Sequence, residues 1–214
     1  MIERYRGENI SCERDDRILF SGLNFDLAAG EVMRIHGPNG SGKTTLLRVL
    51  TTLARDFNGA LFWGESPMDE VRSQFLAEMA FIGHDSGIQG QLTPLENLSW
   101  YCHLAGLPSQ PAEIEQAIAT IGLRGYGDVP CAQLSAGQKR RVALSRLILL
   151  KTPLWILDEP FTAIDAKGVL ALEQLIQAHV QQAGSVILTT HQEIQGDFPV
   201  KVLDLAAFTP TPSF

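Results

Sequence analysis

Apolar positions along this 214-residue chain change their period several times, and each change marks an element. Residues 18–35 read as short strands. ILF is followed by LNFDL, where Leu23, Phe25 and Leu27 alternate with polar neighbours, as a half-buried strand requires. A turn at Ala28, Ala29 and Gly30 leads into EVMRI, which runs straight into a glycine-rich loop. In TTLLRVLTTLA the period becomes helical, with Leu46, Leu47, Leu50 and Leu53 on one stripe. MAFIGH, at residues 79–84, predicts another strand. From about 85 to 150 the pattern is mostly helical: LENLSWYCHLAGL, PAEIEQAIATIGL and AGQKRRVALSRLILL each predict a helix. LWILDEP predicts a buried strand, because four successive apolar residues suit a parallel strand covered on both faces. VLALEQLIQAHVQQ predicts a helix closed by Gly184 as its C-cap, and SVILTT the next buried strand.

The order is βαβ at both ends with a helical insert between, which places the chain in the α/β class. One domain is expected, with a core at about 1–84 and 151–207, a helical subdomain at about 85–150 and a mobile tail at 208–214. Composition fits a packed globule, at 45% apolar and 19% charged residues. No run reaches the length of a membrane span, since the apolar stretch at 142–157 is broken by Arg146, Lys151 and Pro153. The first ten residues carry charges and lack the apolar stretch of a secretory signal. A net charge of −7, with no basic run longer than Lys139-Arg140-Arg141, argues against a broad nucleic-acid surface. Cys12, Cys102 and Cys131 are scattered, form no CxxC pair, and read as reduced buried thiols.

The candidate chemistry begins at residues 37–45, GPNGSGKTT, which fit G-x-x-x-x-G-K-S/T. Gly37, Gly40 and Gly42 let the backbone turn tightly, so that the loop through Pro38, Asn39 and Ser41 points its N–H groups at phosphate oxygens. The following helix, with Thr45 in its first turn, adds its positive end. Lys43 brings a point charge to the β and γ phosphates, and Thr44 a hydroxyl for Mg²⁺. A glycine turn without function is the bland alternative, and the register of Lys and Thr between strand and helix speaks against it. By itself the motif specifies a P-loop nucleoside triphosphatase and no particular chemistry.

LWILDEP delivers Asp158 and Glu159 at the end of a buried strand, beside the phosphate loop in such a topology. Asp158 is suited to Mg²⁺, and Glu159 to polarising an attacking water. SVILTTHQ repeats the geometry, with His191 placed to bond the γ-phosphate or that water.

LSAGQKRRVALSRL, at residues 134–147, closely resembles the LSGGQ signature of the ATP-binding-cassette family. Ser135 is a good N-cap for the helix that follows. The resemblance covers roughly residues 8–195 and includes TAID, residues 162–165, which matches the family's D-loop. It implies a P-loop NTPase with a RecA-like core, an N-terminal antiparallel β subdomain and a helical insert, binding ATP and Mg²⁺ and hydrolysing ATP. It also implies that Ser135, Ala136, Gly137 and Gln138 close over nucleotide held by a second copy of the chain, in a head-to-tail dimer. Integral-membrane transporter subunits are the implied partners, and no nucleic acid. Ala136 stands where the family has a glycine. Arg14 stands where an aromatic usually stacks on adenine, with Glu13 beside it, and its guanidinium can stack on a base. His84 takes the Q-loop glutamine's place, where it would meet Mg²⁺ or the water.

Within the family, His84, SAGQKRR, LWILDEPFTAID and ILTTHQ together look like the ATP-binding subunits of bacterial haem exporters of cytochrome c biogenesis. That likeness implies a peripheral position on the cytoplasmic face of the inner membrane and an ATP cycle linked to releasing a haem-loaded chaperone outside. No CxxCH or other haem motif is present. Two alternatives share the motifs: the ATPase of another small-molecule exporter, and a soluble cassette acting on nucleic acid or the ribosome. A binding-only cassette is a third, and Glu159 argues against it. Ile88, Leu92 and Trp100 are expected to form the docking patch for the membrane partner.

Overall fold

The computed structural model describes residues 4–15 and 17–209. The chain opens with β1 (Tyr5–Arg14) and β2 (Arg17–Leu27), paired antiparallel. It continues through β3 (Val32–His36), α1 (Lys43–Leu50), β4 (Asn58–Trp63) and the two-residue β5 (Ser66–Pro67). Then come α2 (Met68–Ala77), β6 (Met79–Ile82), α3 (Pro94–Leu104), α4 (Pro111–Thr120) and α5 (Ala136–Leu150). The last elements are β7 (Leu154–Asp158), α6 (Ala166–Gln181), β8 (Ser185–Thr189) and β9 (Val200–Asp204). No described helix is long and apolar enough to cross a membrane.

Two sheets result. An antiparallel sheet has the order β2-β1-β4-β5, and a parallel sheet has the order β6-β7-β8-β3-β9. The central strands β7 and β8 are buried on both faces, which is why LWIL and VIL are unbroken apolar runs, whereas the edge strand β9 is mostly exposed. Leu154, Ile156, Met33, Ile35 and Ile187 point to one side, where α1, α2 and the antiparallel sheet cover them. Trp155, Leu157, Val32, Val186 and Leu188 point to the other, beneath α5 and α6. The insert has its own core of Leu98, Ile114, Ile118 and Val142. Helix α5 serves both: Val142 packs into the insert, while Ala143, Leu144 and Leu147 pack on the parallel sheet.

Several expectations are corrected. ILF and LNFDL belong to one strand, β2, and its partner β1 was not anticipated. The reason lies in β1 itself: buried residues run Tyr5, Gly7, then Ile10 and Cys12, so bulges shift the alternation by one. Leu53 is not on the α1 stripe, because α1 ends at Leu50 and Leu53 is exposed. Gly184 does not take the left-handed position after α6; Ala183 does, with φ 62°. Gly184 N–H donates to His179 O, closing the Schellman turn. Glycine is needed there because a Cβ would lie 2.2 Å from the His179 ring. At the C-terminus, a 3₁₀ turn spans Leu205–Phe208, and Thr209 Oγ1 donates to Leu19 O at 3.3 Å. Phe208 and Thr209 are therefore packed, and the rest of the expected tail, 210–214, lies outside the described residues.

Candidate functional site

The loop between β3 and α1 surrounds a cleft of about 460 Å³. It is lined by Arg14, Leu19, Asn39, Gly40, Gly42, Lys43, Thr44, Thr45, His84, Asp158 and Glu159. Gly40 and Gly42 hold φ of 78° and 96°, in the left-handed region that a side chain would strain. Gly42 is the N-cap of α1, and no side chain caps that turn. The first amides of α1 are thereby left for an anion, beside the positive end of the helix. Lys43 Nζ sits over the loop, donating to Gly37 O at 2.8 Å and Pro38 O at 3.2 Å. Ser41 is buried against Gly37, whose Cβ would lie 2.7 Å from Ser41 Oγ.

Parallel register brings the acids to this loop. Asp158 is the last residue of β7 and pairs with Thr189 at the end of β8. Thr44 Oγ1 donates to Asp158 Oδ2 at 3.1 Å, and Thr189 Oγ1 donates to Asp158 Oδ1 at 2.7 Å. The same threonine oxygen accepts from Glu159 N–H at 2.8 Å. Glu159 then turns back with φ 48°, a left-handed conformation that costs a non-glycine residue about 1 kcal/mol or more. Its carboxylate Oε1 lies 3.5 Å from His191 Nε2. Glu159, His191 and the phosphate loop are thus gathered at the C-terminal edge of the parallel sheet. Arg14 stands at the cleft rim, exposed and 3.7 Å from Asp15. His84 is exposed just beyond β6 and lines the same cleft.

The signature residues lie elsewhere. Ser135 caps α5: its Oγ accepts from Gln138 N–H at 3.2 Å, and Gln138 Oε1 accepts from Ser135 N–H at 2.9 Å. Ser135 and Ala136 are exposed, and none of residues 135–138 lines the phosphate cleft. The methyl of Ala136 therefore meets solvent. Gly137 is buried, and a Cβ there would lie 2.1 Å from Ala163 O. Glycine is thus required for packing on the 162–165 turn, where Ala163 has φ 64° and Asp165 caps α6 through Gly168 N–H. Arg141 Nη2 reaches Asp165 Oδ2 at 3.7 Å.

Two residues of this neighbourhood escaped the reading of the sequence. Thr189 bridges both acids, and only the β7–β8 register reveals it. Arg140 sits inside the longest basic run, Lys139-Arg140-Arg141, yet it is buried. It donates to Gly83 O at 2.5 Å and to Asp158 O. Burial lowers its pKa, and Asp158 opposes that shift.

Comparison with known proteins agrees with this arrangement. The sequence model of the ABC transporter family matches residues 20–162. The cytochrome c biogenesis ATP-binding export protein CcmA of Pseudomonas fluorescens is 51% identical over 188 residues, covering 86% of this chain and 87% of that protein. The CcmA of Vibrio cholerae is 50% identical over 192 residues, covering 90% and 93%. Among solved structures, a protein of Pyrococcus furiosus described as an ABC transporter ATP-binding protein superimposes with a TM-score of 0.84 at 22% identity, over 97% of this chain and all of that one. A dimeric ATP-binding cassette in a post-hydrolysis state, bound to ADP and Pi, gives 0.75 at 21% identity, over 88% of each chain. This chain belongs to the ABC transporter family, as an ATP-hydrolysing cassette. Its group within that family is the one formed by the cytochrome c biogenesis ATP-binding export proteins.

Proposed function

We propose that this chain is the ATPase subunit of a haem exporter complex of cytochrome c biogenesis, acting as two head-to-tail copies under integral-membrane subunits at the cytoplasmic face of the inner membrane. One observation supports the paired reading: the chain carries both motifs of a nucleotide site, but none of the signature residues 135–138 lines the cleft formed by the phosphate loop. The phosphate loop, Asp158 and Glu159 line one cleft, with His191 Nε2 3.5 Å from Glu159 Oε1, while Ser135 is exposed and lies outside it and Ala136 lines an adjoining pocket with Asp158 and Glu159. A second copy supplies the missing half in each direction. Half-identity to the cytochrome c biogenesis export proteins over most of the chain supports the choice of cargo.

In this reading the loop amides of 37–45 and Lys43 hold the phosphates. Magnesium fits the donors present, because Thr44 Oγ1 and Asp158 Oδ2 are hard oxygens 3.1 Å apart at the loop. The described residues contain no cluster of three or more His, Cys, Asp or Glu that would form an all-protein metal cage. Such a pair suits a cation that completes its shell with water and phosphate oxygens. When bound, Mg²⁺ neutralises charge on the phosphates. Glu159 orients the attacking water and draws off its proton, and His191 beside it stabilises the γ-phosphate oxygens. Arg14 stacks on adenine at the rim, and His84 senses the metal or the water. For the membrane partner, Trp100 is half exposed and Leu104 next to it more so, which suits a docking surface. Ile88 drops out of that patch, because it packs against both the sheet-covering core and the insert core.

The reading is tested by purifying the full chain from native membranes and identifying its companions. Membrane subunits of cytochrome c biogenesis are expected, with c-type cytochromes lost on deletion and restored by the wild-type chain but not by Glu159→Gln. Co-purification with a different exporter, or unchanged c-type cytochromes after deletion, overturns it.

A further inference from the structure

We propose that Arg140 is a positioning residue that couples the two nucleotide sites of the paired cassette, by tying the signature helix of each copy to the catalytic strands of the same copy. The inference rests on the two-copy reading above.

Arg140 is the fifth residue of α5, one turn beyond the Ser135 cap that faces the partner copy. Its guanidinium reaches away from that face into the interior, where only 6% of the residue is exposed. There it grips two carbonyls on adjacent parallel strands. Gly83 directly follows β6, and Asp158 ends β7, just past the last backbone pair of that ladder, Ile82 with Leu157. The next residue on each strand is one of the functional side chains: His84 after Gly83, and Glu159 after Asp158. No carboxylate of the described residues pairs with Arg140. Its charge is thus committed to these two carbonyls, and charge-assisted bonds from a rigid planar fork are directional.

The consequence is mechanical. When the α5 start closes on nucleotide in the partner copy, any shift of the helix passes through Arg140 to the backbone under His84 and Glu159 of its own copy. A second tie runs along the same route, since Gly137 packs on Ala163 O, and Thr162 N–H donates to Glu159 O at 3.1 Å. Nucleotide at one site then sets the geometry of the catalytic acid at the other. A lysine would keep the charge but, with a single nitrogen, would not hold both carbonyls in the guanidinium's planar fork.

The full chain, purified with its membrane subunits, is compared as wild type, Arg140→Gln and Arg140→Lys. Turnover is measured against ATP concentration, with nucleotide affinity and thermal midpoint of the isolated chain measured alongside. Wild type should show a Hill coefficient of ~2, the limit for two coupled sites. Arg140→Gln should drop it to ~1 and lower kcat by about tenfold, with affinity of the isolated chain within about twofold. Arg140→Lys should fall between them, and it carries the same readout if Arg140→Gln does not fold. An unchanged Hill coefficient in both variants overturns the proposal. So does a fall of affinity and thermal midpoint in step with turnover, which would make Arg140 a carbonyl cap and nothing more. A wild-type Hill coefficient of one also overturns it while leaving the ATPase reading intact, whereas absent wild-type turnover overturns that reading instead.

Discussion

Two helix N-termini in this chain carry the motifs assigned to nucleotide, and they are finished in opposite ways. Helix α1 starts at Gly42 with no side-chain cap. Helix α5 starts at Ser135 with a reciprocal capping box closed by Gln138. The difference follows from what holds each helix. In α1, Leu46, Leu47, Val49 and Leu50 are buried in the main core within two turns of the start. Packing fixes that helix, so its first amides can stay free for a ligand. The first turn of α5 presents Ser135 and Ala136 to solvent and packs only Gly137, so its cap adds order that α1 takes from the core. The start of α1 is anchored by the core, and the start of α5, the proposed half-site for a second copy, relies more on its own capping bonds.

The comparison breaks first at Lys43. Lys43→Ala should lower turnover by about 10³-fold and abolish nucleotide binding by the isolated chain, because the charge aimed at the phosphates is gone. Near-normal binding by this variant would mean that α1 is not the complete half. Glu159→Gln comes next. It should slow hydrolysis by about 10²-fold while leaving binding intact, and so accumulate an ATP-bound dimer visible by light scattering. A Glu159→Gln chain that stays monomeric in ATP, with its membrane subunits present, would show that α5 does not wait for a second copy.

How much of this was legible in the sequence differs between the two termini. The loop before α1 stood out in the sequence, because its glycines, Lys43 and Thr44 are contiguous and fit one motif. Asp158 and Glu159 were legible because a buried strand runs directly into them. The α5 start was legible as a helix cap, but its orientation away from the phosphate cleft came only from the family resemblance. Thr189 and Arg140 were not legible. Each acts across a strand register or through a buried reach, and their neighbours in sequence show only a plain strand and a short basic run. In the fold, β1 escaped because a bulge near Asn9 shifts its alternation. Gly184 misled because it is a glycine forced by the His179 ring and not by backbone conformation.

That ring supplies a smaller effect, acting on the α5 side of the sheet. His179 stacks on Trp155, with ring centroids 3.6 Å apart and planes 7° from parallel, and Trp155 packs beneath Ala143, Leu144 and Leu147 of α5. Burial pushes the imidazole pKa from 6.5 down to about 4, despite the bond between its Nε2 and Pro153 O. The unfolded chain therefore binds the proton more tightly. Stability is complete above about pH 6.5 and declines as pH falls towards 4, by about 1–2 kcal/mol once partial exposure is allowed for. Urea midpoints between pH 7 and 4.5 should show this slope, and His179→Phe should flatten it. An unchanged slope in the phenylalanine variant would place the acid-sensitive group elsewhere.

The smallest effect is the sharpest test, because Ser135 has two jobs that a pair of substitutions can separate. As a cap, its Oγ accepts the Gln138 N–H, and Ser135→Ala should cost about 1 kcal/mol of stability. As part of the waiting half-site, the same turn must accept phosphate oxygens from a second copy. Ser135→Asp keeps the cap, since a carboxylate accepts the same N–H and favours the positive helix end. It also puts a negative charge where the phosphate is to sit. The two variants should therefore diverge: the alanine chain less stable but still partly active, the aspartate chain as stable as wild type but unable to form the ATP-bound dimer. Nucleotide binding by the isolated chain should be unchanged in both, because α1 alone carries it. If Ser135→Asp lowers binding by the isolated chain, α5 serves its own cleft and the contrast between the two termini is wrong.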